Sequence, residues 1–297
     1  MEQKITVVIP TYNRSKLLKK TVNTLLKESN NVSKIIVLNT AKKPLNSFKN
    51  VKKVQIQNVY PLNLLQAKNS AFKNIKNTWS LILDDDLLFN SNLPKKFVNN
   101  INKFKFDAAC GLVKSKREYK FWEIENYNYY GKMLFCGVAN LNFNNLKSTK
   151  PYLVDFAPGG FLFVKTKVIK NLSFDTNYIL PFFNEDTDIT HRMVKKGYKI
   201  MFFSDIECFH LQYKKGGNRK KVSKKYWFYA FGFNNSYFIV KNFGLFKYFL
   251  YSIFRCFDHF YVLRQFSIKI YLSYIKGIYG GYKKAKAKHS CSKLQTR

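Results

Sequence analysis

The sequence predicts an α/β fold, with a mostly parallel central sheet and flanking helices, followed by a helical extension rich in aromatic and basic residues. Over roughly the first 210 residues, short β-branched apolar runs alternate with segments of helical periodicity, as in sheets covered by helices. From Tyr226 onward the chain is aromatic, basic and poor in proline. Hydrophobic residues make up 46% of the 297 residues, which is enough to bury a substantial core.

The predicted strands and helices follow one another in a regular order. An apolar run ended by proline predicts strand 5–10, and apolar residues at helical spacing predict helix 15–26. The same patterns predict strands over 34–38, 51–59, 80–83, 161–164 and 200–203, and helices over 67–75 and 187–196. Gly197 ends the last of these helices. Residues 114–150, rich in Tyr, Asn and Lys, are predicted to be irregular.

Polar residues follow three of the predicted strands. Thr11 and Tyr12 follow the first strand, Asn39 follows the second, and Asp84 to Asp86 follow strand 80–83. Ligands of open α/β sheets bind beyond the carboxyl ends of the strands. We therefore expect these side chains to lie along one binding edge.

The three consecutive carboxylates Asp84 to Asp86 are the strongest local feature. Like charges this close repel one another, and burying them without a cation is costly. A hard divalent ion held by carboxylate and phosphate oxygens resolves this conflict. A solvated turn or helix cap is the alternative for the triplet taken alone. A calcium EF-hand loop is excluded, since Phe89 and Lys95 stand where it needs Gly and Glu.

A second group of carboxylates, Glu185, Asp186 and Asp188, opens a predicted helix. The helix dipole stabilises carboxylates at this end, so capping alone would explain them. A carboxylate in this position can also act as a general base toward a hydroxyl. His210 follows strand 200–203, and a lone histidine is either a structural residue or a metal ligand.

The net charge of +35, from 52 Lys and Arg against 17 Asp and Glu, attracts phosphates, anionic lipid or nucleic acid. Aromatics interleaved with lysines, as over 224–227, are the reason to consider a nucleic-acid-binding protein. That alternative explains neither acidic group, and no zinc-finger or RNP-like motif is present. We therefore expect no nucleic-acid partner.

The cysteines and the apolar runs bear on location. Five cysteines without a CxxC pair argue against a disulfide framework and indicate a reducing compartment. The first residues lack the apolar core of a signal peptide, and no run reaches the ~18 apolar residues of a spanning helix. We expect a cytoplasmic protein, or one held peripherally on the inner face of the cell membrane.

Residues 247–276 are predicted to form one helix with a narrow polar sector. At about 100° per residue its polar side chains fall on one side, except Arg264, while Phe, Tyr, Leu and Ile cover the rest. Such a helix either packs on the preceding domain or lies in an anionic membrane interface. The residues of the polar sector are Lys247, Arg255, Asp258, Gln265, Lys269 and Lys276.

Four motifs follow one another along the first 212 residues. They are Val7-Val8-Ile9-Pro10-Thr11-Tyr12-Asn13-Arg14, Leu83-Asp84-Asp85-Asp86, Gly159-Gly160-Phe161-Leu162 and Asn184-Glu185-Asp186-Thr187-Asp188, followed by Arg192, Gly197-Tyr198 and His210. In this order they resemble the motifs of the family 2 inverting glycosyltransferases, which have the Rossmann-like GT-A fold. The resemblance covers about residues 4–212 and is strongest to the rhamnosyl- and galactofuranosyltransferase-like members. It implies an enzyme that moves a sugar from a nucleotide-sugar donor to an acceptor hydroxyl.

The resemblance implies a role for each matching residue. Asp84 and Asp86 would bind a divalent metal, Mn²⁺ or Mg²⁺, with His210 completing the site. Asp186 would be the catalytic base, with Glu185 as its neighbour. The residues implied to bind the nucleotide sugar are Pro10, Thr11, Tyr12, Arg14, Asn39, Lys68, Asp84, Asp85, Gly159 and Gly160.

Two positions depart from the family pattern. Asn39 stands where the family has Asp at the end of the second strand, and its amide can still bond a pyrimidine edge. Lys68-Asn69 stands where Arg-Asn is usual, which keeps the charge and loses the planar guanidinium. These changes affect the choice of donor more than activity.

These observations predict a metal-dependent, inverting glycosyltransferase with a catalytic domain over 1–215 and a basic aromatic helical region over 216–297. The expected acceptor is a growing surface glycan, as in lipopolysaccharide or capsule, either free or lipid-linked. The expected partners are this acceptor, the nucleotide-sugar donor and an anionic membrane surface. A sugar-binding protein of the same fold that lost catalysis is the alternative, against which the intact Asp84, Asp86, Asp186 and His210 argue.

Overall fold

The computed structural model describes residues 3–27, 30–48, 50–115, 131–133, 150–211, 216–217, 222–254 and 267–294. The chain divides into two compact units. The first, here called the sheet unit, contains Met1–Lys132, Asn140–Phe174 and Ile189–Gly217. The second, the helical unit, contains Met133–Ala139, Asp175–Asp188 and Asn218–Arg297. The boundary at residue 215 stays a prediction. Most of the region 114–150, predicted to be irregular, lies outside the described residues.

Nine strands of the described residues form one mixed sheet in the sheet unit, in the order β3-β2-β1-β4-β8-β6-β9-β5, with β7 also paired to β9. Strands β3, β2, β1 and β4 are parallel, while β8 runs antiparallel to both β4 and β6. The predicted α/β fold is confirmed. The strands are β1 (Ile5–Thr11), β2 (Val32–Asn39), β3 (Val54–Asn58), β4 (Trp79–Leu83), β5 (Leu87–Phe89), β6 (Ala108–Ser115), β7 (Tyr152–Val154), β8 (Phe161–Lys165) and β9 (Ile200–His210).

The helices are α1 (Ser15–Lys27), α2 (Leu64–Lys73), α3 (Leu93–Lys103), α4 (Thr166–Leu172), α5 (Glu185–Lys195), α6 (Lys224–Phe254) and α7 (Ile268–Leu294). Helices α1, α2 and α5 begin and end close to the predicted positions, whereas α3 and α4 were not predicted. Helix α2 starts earlier than predicted because Asn63 forms a capping box with Gln66. In α1 the buried residues include Leu18, Val22 and Leu25, a helical spacing that packs one face on the core.

Strand β9 is longer than predicted and ends at His210. Its pairing with β6 shifts register between Gly111 and Leu112, so that the residue paired after Phe203 is Glu207. A side chain at Gly111 would overlap the carbonyl of Ile206 at this irregularity. The strand was predicted to end at residue 203 because its apolar pattern stops there. Beyond that point the strand continues through this bulge with polar residues.

The helical unit contains two long helices where a single helix over 247–276 was predicted, and that prediction is wrong. Helix α6 bends at Gly244, whose φ of 81° interrupts the helical conformation. The first part of α6 runs parallel to α7, because contact positions rise together along both helices. These contacts are Ser273 with Lys225, Gly277 with Tyr229, and Gly281 with Phe233. Arg255, Asp258 and Gln265 of the predicted polar sector lie outside the described residues, and so does the exception Arg264.

None of the helices in the described ranges is long and apolar enough to cross a membrane.

Candidate active site

The three aspartates lie at the carboxyl end of β4, as predicted. The backbone N–H of Asp84 donates to the carbonyl of Gly160, at 2.9 Å, and so links the end of β4 to the turn before β8. Asp85 and Asp86 are 4% and 3% exposed, whereas Asp84 is half-buried. Two ionisable carboxylates are therefore buried at adjacent positions, a situation that requires compensating charge.

Arg14 supplies much of that charge. Its Nη1 donates to Asp85 Oδ1 at 3.0 Å and lies 2.9 Å from Asp86 Oδ2. The other Asp85 oxygen accepts a hydrogen bond of 2.6 Å from the Thr11 hydroxyl, and the Asp85 carbonyl accepts one of 3.3 Å from Thr21. Arg14 and Thr11 were predicted to line the nucleotide pocket. The structure shows that both also hold the aspartates in place.

These contacts and burial shift two pKa values in opposite senses. Burial raises the pKa of the Asp85 carboxyl to about 6, although Thr11 and Arg14 oppose the rise. Burial alone would lower the pKa of the Arg14 guanidinium, but the neighbouring Asp85 and Asp86 carboxylates raise it overall. Arg14 therefore remains charged and acts as a fixed counter-ion at this edge of the sheet.

Asp84, Asp86 and His210, the metal ligands that the family resemblance implies, come together in the structure. One ligand atom from each lies within 4.8 Å of the others. His210 Nε2 lies 3.3 Å from Asp86 Oδ1. His210 is placed by β9, where it pairs with Leu87 of β5, and the N–H of Leu211 donates to the Asp86 carbonyl at 3.0 Å.

The donor set of these three side chains fits a divalent ion. Two carboxylate oxygens and one imidazole nitrogen are ligands that Mn²⁺ accepts readily, while Mg²⁺ favours oxygen. Arg14 contacts the Asp86 oxygen Oδ2, which leaves Oδ1 on the side of His210. Among the described residues, Asp84, Asp86 and His210 are the His, Cys, Asp or Glu side chains whose ligand atoms lie close enough together to hold one ion.

Two glycine pairs shape this part of the site. A side chain at Gly160 would overlap the Asp84 carboxylate, so this glycine leaves room for a residue of the candidate metal site. Gly159 beside it is buried. Gly216 and Gly217, with φ of 70° and 74°, pass over Arg14, and Gly217 N–H donates to the Tyr12 carbonyl at 3.0 Å. This second pair was not predicted, although a Gly-Gly dipeptide is a signal for such a turn.

Three other residues predicted to contact the nucleotide have clear structural partners. Pro10 is buried within β1. The Asn39 amide donates to the Lys43 carbonyl and to Asn58 Oδ1, at 2.9 and 2.8 Å, and thereby orders the loop after β2. Lys68 is 2% exposed, and its ammonium lies 4.7 Å from the centre of the Phe174 ring. Their roles toward a nucleotide stay predictions.

The Asn184 to Asp188 motif lies in the helical unit, at the start of α5. Glu185 is 8% exposed and Asp188 is fully buried, but Asp186 is only half-buried. Asp186 Oδ1 accepts a hydrogen bond of 2.8 Å from the backbone N–H of Thr187, which orients its carboxylate at the first turn. Asp186 is therefore the carboxylate of this motif with the most solvent access.

Asp188 has a role that the sequence did not show. Its carboxylate accepts hydrogen bonds from the ammonium of Lys241, at 2.7 and 2.8 Å, and from the Asn242 amide at 2.9 Å. Both donors come from α6. Because they are more than 50 residues further along the chain, no local pattern could pair them with Asp188.

The fold and these residues define a glycosyltransferase with the GT-A architecture. The chain belongs to glycosyl transferase family 2, whose model matches residues 6–173. A second model, described as Glycosyltransferase (GlcNAc), matches residues 90–288. The enzyme class predicted from the sequence is thus confirmed, while the rhamnosyl- or galactofuranosyltransferase type stays a prediction.

Solved glycosyltransferase structures share the fold. S. aureus TarS 1-349 in complex with UDP-GlcNAc is similar with a TM-score of 0.60 and 15% identity, over 93% of this chain and 79% of that chain. GalNAc-T7 with UDP, GalNAc and Mn²⁺ is similar with a TM-score of 0.56 and 14% identity, over 80% of this chain. The matched region is 50% of the GalNAc-T7 chain. No curated protein matches the sequence.

Proposed function

We propose that this glycosyltransferase moves a sugar from a nucleotide-sugar donor to a hydroxyl of a growing surface glycan, with a divalent metal and with inversion at the anomeric carbon. The observation that carries this proposal is the convergence of Asp84, Asp86 and His210 at the carboxyl end of β4 in a family 2 chain. One buried and one half-buried carboxylate beside an imidazole suit a cation that binds a diphosphate.

The roles of the metal-site residues follow from their contacts. Asp84, Asp86 and His210 would hold the ion, and the ion supplies Lewis-acid stabilisation of the charge on the departing nucleoside diphosphate. Arg14 fixes the Asp86 carboxylate through Oδ2, and Gly160 leaves room for the Asp84 carboxylate. These two residues therefore set the orientation of the ligands before any ion binds.

Asp186 is proposed as the general base that removes the acceptor proton. It begins α5, and it is more accessible than Glu185 or Asp188 in the same motif. A single displacement needs one base and no protein nucleophile, and it inverts the anomeric configuration. Glu185 and Asp188, being buried, support this turn and do not meet the acceptor.

The donor is proposed from two kinds of support. TarS and GalNAc-T7 were solved with UDP-GlcNAc and with UDP and GalNAc, and one matching family model is described by GlcNAc. These findings put UDP-N-acetylhexosamines first. The resemblance to rhamnosyl- and galactofuranosyltransferase-like members makes dTDP-rhamnose and UDP-galactofuranose further candidate donors. The Asn39 amide can both donate a hydrogen bond to the edge of a pyrimidine base and accept one from it.

The test is release of nucleoside diphosphate from a panel of UDP-, GDP- and dTDP-sugars, with Mn²⁺ or with EDTA. We expect release from one donor that depends on metal and falls at least about 100-fold in Asp186→Asn, since general-base catalysis contributes roughly 10²- to 10⁴-fold. The matched control is Asp205→Asn, which removes an exposed carboxylate from β9 of the sheet unit.

Each part of the proposal has an outcome that opposes it. Turnover in EDTA equal to turnover with Mn²⁺ would contradict metal dependence. Full activity of Asp186→Asn would contradict the assignment of the base. Retention of the donor's anomeric configuration in the product, measured by NMR, would contradict inversion. Nucleotide-sugar binding without release, with glycan acceptors present, would favour a sugar-binding protein of the same fold.

A further inference from the structure

The second part of α6 has an unusual surface. Four residues between 242 and 253 are exposed, and all of them are large and hydrophobic: Leu245, Phe246, Phe249 and Ile253. Phe246 and Phe249 are 73% and 63% exposed. An ordinary surface helix shows the reverse pattern, with polar residues outward and apolar residues inward. Exposed apolar groups clustered in this way mark a contact surface.

These side chains lie on one side of the helix. At about 100° per residue, Phe246, Phe249 and Ile253 fall within about 60° of one another around α6. On α7, the exposed residues Ile268, Leu272 and Tyr279 fall within about 40°. We call these two sets the apolar stripes. Both belong to the helical unit.

Lysines border the stripe of α7. Lys269, Lys276 and Lys283 are exposed and recur every seven residues, which places them within about 100° of Ile268 on the same side. The Lys283 ammonium lies 4.8 Å from the centre of the Tyr279 ring, so basic and aromatic groups are in contact at the edge of the stripe.

The charged side chains of α6 and α7 themselves are basic, since the two helices contain eleven lysines and no Asp or Glu. Lys241 and Lys288 pair with Asp175 of the same unit, whereas Lys269, Lys276 and Lys283 are exposed. A protein partner with a basic surface would be repelled, and so would a second copy of the same face. Exposed apolar stripes on helices without acidic side chains, one of them bordered by lysines and an aromatic ring, match the headgroup region of an anionic bilayer.

We propose that the apolar stripes of α6 and α7 insert into the interface of an anionic lipid bilayer, with the bordering lysines contacting the lipid phosphates. Phe246, Phe249 and Ile253 enter the acyl boundary, and Lys269, Lys276 and Lys283 remain at headgroup level. The helices lie in the interface and do not cross the bilayer. This attachment is independent of sugar transfer, so its test does not rely on activity.

The test is co-sedimentation of the full chain with vesicles of phosphatidylcholine alone or with roughly 30% phosphatidylglycerol, at about 0.1 M salt. We expect binding to the mixed vesicles at least about tenfold tighter than to the neutral ones. Phe246→Ser with Phe249→Ser should weaken binding to the mixed vesicles at least about tenfold. Circular dichroism shows whether each variant retains its helices.

Two control variants match these changes. Leu153→Ser removes an exposed apolar side chain from β7 of the sheet unit, and it should bind like the wild type. A triple Lys→Gln variant at 269, 276 and 283 should bind mixed vesicles at least about tenfold more weakly and lose the preference for anionic lipid. The same change at the exposed lysines of α1, Lys16, Lys19 and Lys20, should not.

Three results would overturn the proposal. Equal binding to neutral and anionic vesicles would show that lipid charge has no role. Binding to neither kind of vesicle would show that the stripes do not attach to a membrane. The third result is measured by light scattering. A dimer that becomes a monomer in the Phe246→Ser, Phe249→Ser variant, with vesicle binding unchanged, would show that a second copy of the chain covers the stripes.

Discussion

The Lys241 ammonium donates to both carboxylate oxygens of Asp188, at 2.7 and 2.8 Å. Asp188 is fully buried in the first turn of α5, two residues after the proposed base Asp186. The same ammonium lies 2.8 Å from Asp175 Oδ2. One partly buried cation thus joins two carboxylates, and it attaches α6 to the turn that carries Asp186 within the helical unit.

Removing this cation should destabilise the protein strongly. Lys241→Met keeps the length of the side chain but leaves Asp175 and Asp188 without their shared ammonium. We expect a loss of about 3 kcal/mol in the free energy of unfolding, measured in urea, because an uncompensated buried charge is left behind. Adding Asp188→Asn to this variant should recover part of the loss. The control is Lys225→Met, an exposed lysine at the start of α6.

Stability should depend on pH through Asp175. Burial would raise the pKa of its carboxyl, but Lys241, Lys288 and the backbone of Asn177 outweigh burial and hold the pKa well below the ordinary range. A lowered pKa in the folded state stabilises the protein above the unfolded pKa, about 3.9, and this stabilisation is lost as the pH falls below it.

The corresponding variant is Asp175→Asn. At about pH 7 it should be less stable than the wild type by about 2 kcal/mol. The difference should begin to shrink below about pH 4, as the wild-type carboxyl of the unfolded chain takes up its proton. Urea unfolding at several pH values measures it. A difference that is constant across this range would mean that Asp175 acts through packing and not through its charge.

Arg14 should oppose metal binding while stabilising the metal-free protein. Arg14→Met removes the counter-ion of Asp85 and Asp86, so the melting temperature in EDTA should fall by several degrees, as expected for about 2 kcal/mol. With a positive charge gone from beside Asp86, Mn²⁺ should bind roughly fivefold more tightly by titration calorimetry. Weaker Mn²⁺ binding in this variant would show that the positioning of Asp86 by Arg14 outweighs the repulsion between its charge and the ion. Lys16→Met is the control on α1.

Gly160→Ala should impair the metal site without removing a ligand. The added methyl group would overlap the Asp84 carboxylate and push it from its place. We expect Mn²⁺ affinity to fall at least about tenfold, as it does when groups that orient ligands are lost. Asp86→Asn should cause a larger loss. Unchanged Mn²⁺ binding in Gly160→Ala would mean that Asp84 does not contribute to the site.

The close packing of α6 and α7 depends on two glycines of α7. Side chains at Gly277 and Gly281 would overlap the backbone carbonyls of Tyr229 and Phe233. Gly277→Ala and Gly281→Ala should each lower the free energy of unfolding by about 2 kcal/mol. The added methyl groups would overlap backbone atoms of α6, and this overlap can be relieved only if the two helices move apart. Gly280→Ala should cost less, since it meets the side chains of Tyr229 and Phe233 at 3.1 and 3.2 Å. Equal effects at all three positions would contradict this account.

Much of the site could be predicted because its signals are local. Asp84 to Asp86 directly follow an apolar strand, and the carboxyl ends of parallel strands share one edge of the sheet. The approach of His210 to this edge came only from the family resemblance, since the bulge in β9 that carries the strand to His210 has no clear sequence signal. The long helix predicted over 247–276 failed because composition cannot show where one amphipathic helix ends and the next begins.

Hydrophobic periodicity in the sequence by itself determined the α/β fold, because it is encoded between near neighbours. The enzyme class and the proposed site carboxylates came from motifs of adjacent residues that resemble a known family. Only the tertiary structure decided which charges compensate them. Arg14 meets Asp85 and Asp86 across about 70 residues of chain, and Lys241 meets Asp188 across 53. The physical reason is that buried charges need partners within a few ångströms in space, and the fold, not the distance along the chain, brings those partners together.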